Sequence, residues 1–265
     1  MKKTRTGGPV SRRHVEDPRK PLVSIITVCR NAERTIGKTI ESVLNQTYPQ
    51  IEYLIIDGAS TDATLEIVKR YEPRFKGRLR WVSEKDRGIY DAMNKGIALA
   101  QGRIIGLINS DDWYEPEAVE LVARSYREHG DAVYYGILRV MEDGKEVMLI
   151  ARNHQFLHRD VVAHPAYFVA KNIYDEHGLF RLEFKYAADF ELMMRLMSRH
   201  VQFVQIDAIM ANFSSGGATT VNELRSAEEY LRIRCEYGLM TRKSMLFRIV
   251  RYRISSVLER INRGI

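Results

Sequence analysis

Between Pro21 and Asn109, short β-branched apolar runs alternate with stretches whose apolar residues recur at helical spacing. Residues 22–29 read as a buried strand ending in Arg30-Asn31, and Ile36, Ile40, Val43 and Leu44 mark one face of a following helix. The unit recurs twice: residues 51–56 and then Asp57, with a helix capped near Thr61 or Asp62; residues 79–82 and then Glu84, with a helix from about Ile89. A fourth strand, 103–108, ends in Asn109-Ser110-Asp111-Asp112. Strands alternating with helices predict an α/β fold with a mostly parallel central sheet and right-handed crossovers, and such sheets bind ligands beyond the carboxyl ends of their strands. Here those ends are polar, so Arg30, Asn31, Asp57, Glu84, Asp86, Asp111 and Asp112 are expected on one rim.

After Glu115 the pattern becomes less regular. It predicts a helix, a strand at 132–135, a hairpin of 138–140 and 146–150 around Glu142-Asp143-Gly144-Lys145, an apolar stretch at 166–170, a helix over 189–199 and a strand at 202–206. The polar segment 214–220, with Gly216-Gly217, has the composition of a loop that closes over a site. These boundaries divide the chain into an arm without apolar periodicity (1–20), a single catalytic-type domain (21–221, with halves 21–114 and 115–221) and a helical C-terminal region (222–265).

Composition sets this picture in context. With 45% hydrophobic and 28% charged residues in a chain of 265, a folded domain with a sizeable core is expected. Two cysteines and no apolar leader make a reducing, cytoplasmic location the expectation. The net charge of +7 is unevenly placed: residues 1–20 carry +5 and 242–265 carry +6, which leaves −4 on the 221 residues between. A nucleic-acid-binding domain would spread basic residues over its folded surface, so an acidic body argues against that class.

The chemistry is narrowed by what is missing. No Walker sequence, no Gly-x-Gly-x-x-Gly after a strand and no His-Glu-x-x-His occurs. Two adjacent carboxylates, Asp111 and Asp112, behind a buried strand suit a hard divalent cation, Mn²⁺ or Mg²⁺, whose shell is completed by substrate phosphate and water. That chemistry fits a nucleotide diphosphate.

Four ordered segments then resemble one family. They are Val23-Ser24-Ile25-Ile26-Thr27-Val28-Cys29-Arg30-Asn31, Asp57-Gly58-Ala59-Ser60-Thr61-Asp62, Glu84 through Asp86-Arg87-Gly88-Ile89-Tyr90-Asp91-Ala92-Met93-Asn94-Lys95-Gly96, and Asn109-Ser110-Asp111-Asp112. Over about 23–213 the chain resembles the family 2 glycosyltransferases of GT-A fold, which transfer a sugar from a nucleotide donor to an acceptor hydroxyl with inversion. The resemblance implies that Thr27, Asn31, Glu33 and Asp57 hold base and ribose and that Asp86, Gly88 and Lys95 lie near nucleotide and donor. It further implies Ser110 and Asp111 at ribose or sugar, Asp112 as the metal ligand, Asp189 as the base that deprotonates the acceptor with Glu191 supporting it, and His164 on the acceptor side. Asn109, Cys29, Ile56 and Ala188 depart from the family's commonest residues.

The tail adds a partner. From Leu246 to Ile261, Leu246, Phe247, Val250, Ile254, Val257, Leu258 and Ile261 share one arc flanked by Arg251, Arg253 and Arg260. Such a helix either lies in an anionic membrane interface or docks on protein, including a second copy of the chain. The expected enzyme is thus metal-dependent and peripheral on the inner face of the cell membrane. Its donor is a nucleotide-diphosphate sugar, with UDP favoured, and its acceptor a polysaccharide or lipid-linked glycan. The alternatives are an inactive nucleotide-sugar-binding scaffold, which has no need of Asp189, and a sugar nucleotidyltransferase, whose basic glycine-rich loop after the first strand is absent.

Overall fold

The computed structural model describes residues 4–8, 20–156, 164–214 and 223–262. The four apolar runs form β2 (Val23–Cys29), β3 (Ile51–Asp57), β4 (Leu79–Ser83) and β5 (Ile104–Asn109), which lie parallel in the order β4-β3-β2-β5. Strands β2 and β3 are buried along their whole length, as continuous apolar runs in a sheet covered on both faces must be.

Side-chain alternation along β2 separates two cores. Val23 and Ile25 pack with Ile36, Ile40 and Val43 of α1 (Ile36–Leu44), with α2 (Thr64–Tyr71) and with α4 (Ala118–His129). Ile26 and Val28 pack on the other side with Met93 and Ile97 of α3 (Ile89–Leu99) and with α6 (Ala188–Ser198). Gly96 lets α3 approach β2 closely, since a Cβ there would stand 2.5 Å from the Ile26 side chain.

The second half completes one sheet. Beyond β5 come β9 (Tyr167–Ala170), β7 (Val133–Glu142), β10 (Phe203–Ser214) and β6 (Trp113–Tyr114), and β8 (Lys145–Ile150) forms a hairpin on β7. Strand β9 is antiparallel to both neighbours, whereas β7 and β10 run parallel. A short α5 (Lys171–His177) follows β9, and α7 (Glu223–Glu236) and α8 (Arg242–Asn262) end the chain.

Three features differ from the sequence expectation. Within the arm, Arg5–Gly7 forms an edge strand, β1, antiparallel to β4, and the Thr4 hydroxyl donates to Glu84 at 2.9 Å. Strand β7 is continuous through Gly136, where a Cβ would stand 2.5 Å from Met210 of β10, so this glycine marks close strand approach rather than a turn. Strand β10 runs on to Ser214 past Asp207, through irregular register between Gln205 and Ala211 that apolar counting does not detect.

Candidate active site

The carboxyl ends of β2, β4 and β5 open on a cleft with two lobes. The first, about 400 Å³, is lined by Cys29, Arg30, Asp86, Gly88, Ser110 and Asp111 among others. The second, about 500 Å³, lies toward the second half and is lined by Tyr90, His164, Tyr186 and Asp189 together with apolar side chains. Ile89, Asn109 and Phe213 line both, so the lobes meet there.

Of the residues expected in the first lobe, Asp86, Gly88, Ser110 and Asp111 line it. The Asp86 carboxylate accepts from the Gly88 amide at 3.0 Å, and Gly88, at φ 131, opens α3 without a side chain in the cleft. Burial raises the Asp111 carboxyl above its ordinary range.

Five residues expected to touch nucleotide or donor do not line the cleft. Thr27 falls on the inward face of a central strand and is fully buried, with its hydroxyl accepting from Tyr53 at 2.9 Å. Asp57 is also buried. Its carboxylate accepts from the Ser60 amide at 3.1 Å, from the Ser83 hydroxyl at 2.6 Å and from the Ser60 hydroxyl, so it clamps its own turn. Asn31, in the left-handed region at φ 53, accepts from the Thr61 amide at 2.9 Å, and Glu33 accepts from the Ala63 amide at 2.9 Å. Both bind the loop after β2 to the loop after β3, which holds Arg30 at the cleft. Lys95 donates to the Lys85 carbonyl at 2.9 Å and pairs with Glu84 at 2.9 Å and Asp91 at 3.6 Å, a charge already neutralised by its neighbours.

The two adjacent aspartates divide differently from the expectation. Asp112 is fully buried, accepting from the Ser214 amide at 3.0 Å and the Asn109 side-chain amide at 3.3 Å, and it joins the end of β5 to the end of β10. Burial and the neighbouring Asp111 push its carboxyl well above the usual range. Asp111 is the one that lines the cleft. Among the described residues no cluster of three His, Cys, Asp or Glu side chains forms a closed metal cage. The half-buried Asp111 carboxylate on an open lobe that Asp86 also lines fits a cation that shares its shell with a diphosphate and water.

In the second lobe Asp189 stands at the start of α6, where the Tyr90 hydroxyl donates to its Oδ1 at 2.9 Å. Burial raises its carboxyl, and the Tyr90 hydrogen bond opposes the rise. His164 lines the same lobe. Burial lowers it to about 4, so the imidazole is neutral, and among the described residues its Nε2 has no hydrogen-bond partner. Glu191 is not on this side. Two residues along a helix turn about 200°, and Glu191 is fully buried against Arg195 at 3.0 Å, Arg181 at 3.4 Å and the Tyr237 hydroxyl at 2.8 Å. The Gly216-Gly217 loop lies outside the described residues.

Sequence reading missed Tyr90, Lys185, Tyr186, Phe213 and Tyr230 as lining residues. Tyr90 sits within a quoted segment, and its place at the first turn of α3 beside a rim carboxylate was a usable signal. Tyr230 comes from α7, and the Glu229 carboxylate beside it accepts from the amides of Lys185, Tyr186 and Ala187 at 2.9, 2.8 and 3.1 Å. The helical C-terminal region therefore builds one wall of the site, which no local pattern announces.

Residues 24–200 match the family described as Glycosyl transferase family 2. A chondroitin synthase of Escherichia coli is 41% identical over 109 residues, 41% of this chain, which spans 16% of that protein's length. A PGL/p-HBAD biosynthesis glycosyltransferase of Mycobacterium bovis is 29% identical over 188 residues, covering 67% of this chain and 70% of the relative. Among solved structures, S. aureus TarS 1–349 in complex with UDP-GlcNAc superposes with a TM-score of 0.68 at 18% identity, over 88% of this chain and 73% of that one. The mannosyltransferase PcManGT from Pyrobaculum calidifontis, in complex with GDP-Man and Mn²⁺, superposes with a TM-score of 0.65 at 16% identity, over 89% and 70%. The fold is shared at these identities.

Proposed function

Because this chain belongs to glycosyl transferase family 2 and has a GT-A-like fold, we propose that it is an inverting glycosyltransferase that uses Asp189 as its base. The donor is a nucleotide-diphosphate sugar in the first lobe, with UDP favoured, and the acceptor hydroxyl enters through the second. The observation that carries this reading is Asp189 itself: a half-buried carboxylate, held by Tyr90, in the lobe that joins the first lobe at Ile89, Asn109 and Phe213.

The acceptor oxygen bonds to the anomeric carbon as the bond from that carbon to the diphosphate oxygen breaks. The electron pair leaves with the nucleoside diphosphate, and the hydroxyl proton passes to Asp189. Desolvation favours the protonated carboxyl, so burial strengthens Asp189 as a base, while the Tyr90 hydroxyl fixes the direction of its free oxygen. His164, a neutral imidazole, forms part of the wall on the acceptor side beside Asp189. That Asp111 lines the lobe while Asp112 is buried favours Asp111, rather than the Asp112 of the sequence expectation, as the carboxylate that would hold a divalent cation, Mn²⁺ or Mg²⁺, which when bound offsets charge on the diphosphate.

The chondroitin synthase and PGL/p-HBAD biosynthesis relatives favour a product in polysaccharide or lipid-linked glycan synthesis, and the exposed apolar face of the basic helix α8 favours an enzyme peripheral on the inner face of the cell membrane. The scaffold and nucleotidyltransferase alternatives leave the half-buried Asp189 carboxylate in the second lobe without a task. Asp189→Asn is expected to bind donor with unchanged affinity in calorimetry and to lower kcat by about 10²-fold or more. Turnover within a few-fold of the parent enzyme sinks the assignment.

A further inference from the structure

The β7–β8 hairpin carries an apolar strip that leaves the second lobe and continues into solvent. Leu138 and Val140 of β7 and Ile150 of β8 line the lobe. In the hairpin register Leu138 faces Ile150 and Val140 faces Met148, so Met148 shares their face and lies one step farther out. Met148 is 52% exposed. On the opposite face Leu149 stands across from Arg139 and is exposed, but that face points away from the lobe and carries the pairs of Arg139 with Glu115 at 2.7 Å and Glu146 at 2.9 Å.

Resting on the acceptor reading above, we propose that this strip is a subsite for an apolar group, an alkyl or aryl chain, carried by the acceptor next to the hydroxyl that is glycosylated. A bare saccharide has hydroxyls on every edge, and burying them against a wall without donors or acceptors is unfavourable. Four apolar side chains in two cross-strand pairs match a hydrocarbon instead, and their continuity with the lobe holding Asp189 directs such a chain outward while its polar end meets the base. The acceptor lobe thus selects a lipid-linked acceptor over a free polysaccharide end.

Calorimetry of the full chain with UDP present, titrating methyl, butyl and octyl β-glucoside below their micelle concentrations, tests this. Affinity is expected to rise about two- to fourfold per added methylene. Met148→Glu, at a half-exposed position that tolerates the change, removes this dependence, and Phe247→Glu on the distant apolar face of α8 leaves it intact. Absence of binding, indifference to chain length, an unchanged dependence in Met148→Glu, or its loss in Phe247→Glu overturns the subsite. The UDP titration of the same samples reports separately on the donor lobe, so failure of the donor reading is distinguished from failure of the subsite.

Discussion

Asp189 and Tyr90 form the contact on which the proposed chemistry turns. On that proposal activity requires the ionised Asp189, whose proton affinity burial raises, so activity is expected above its raised pKa and is lost as pH falls through it. Tyr90 stabilises the ionised form by donating at 2.9 Å. Tyr90→Phe is therefore expected to move the acid limb of the kcat profile to higher pH and to lower kcat about tenfold at the optimum. A purely structural role for Tyr90 leaves the limb in place. The aspartate pair makes a second contrast. Asp111→Asn is expected to abolish Mn²⁺-dependent donor binding in calorimetry. Asp112→Asn keeps an acceptor for the Ser214 amide, relieves a disfavoured buried charge and retains the metal dependence. The opposite result returns the metal to Asp112. The sequence reading placed both acids at the end of β5 and gave the metal to Asp112, but strand-end geometry decides which side chain turns into the cleft, and it is Asp111 that lines it.

Among the elements, α6 performs two tasks on opposite sides. Asp189 on its first turn lines the second lobe, and Glu191 faces away from it, bound to Arg195, Arg181 and the Tyr237 hydroxyl of the C-terminal region. Glu191→Ala strips a fully buried carboxylate from two guanidinium groups. A loss of about 2 to 3 kcal/mol in urea unfolding is expected, with the kcat of the folded enzyme unchanged. A large fall in kcat without loss of stability restores Glu191 to the acceptor side. The loops after β2 and β3 show the same division of labour. Asn31, Glu33 and Asp57 accept from the backbone amides of Thr61, Ala63 and Ser60 in the loop after β3, and Arg30, Asp86, Ser110 and Asp111 are left to face the cleft.

At the scale of the molecule, the uneven charge takes on a geometric meaning. Helix α8 is tied to α7 by Arg253 and Glu228 at 2.7 Å, and its Leu246, Phe247, Val250 and Ile254 are 52%, 68%, 54% and 55% exposed, uncovered by the body. Among the described residues no helix is long and apolar enough to cross a membrane. An exposed apolar face beside Arg242, Lys243, Arg248 and Arg251 suits an anionic lipid surface. Phe247→Glu together with Val250→Glu is expected to weaken sedimentation with phosphatidylglycerol vesicles by about tenfold or more. Undiminished binding places the contact elsewhere.

The alternation of apolar runs determined the parallel strands β2 to β5 and their helices, because burial on both faces and helical periodicity are local properties that a chain carries in its residue order. The same order located the rim acids Asp86 and Asp111 and the base candidate Asp189. Only the tertiary structure decided which of the rim residues face the cleft and which lock the loops beneath it, since that choice depends on the partners each side chain finds across the sheet. It alone brought Tyr230 from α7 to the wall, turned Glu191 away from Asp189, and aligned Met148 with Val140 beside the second lobe. Those relations arise from helix rotation and strand register between segments far apart in the chain.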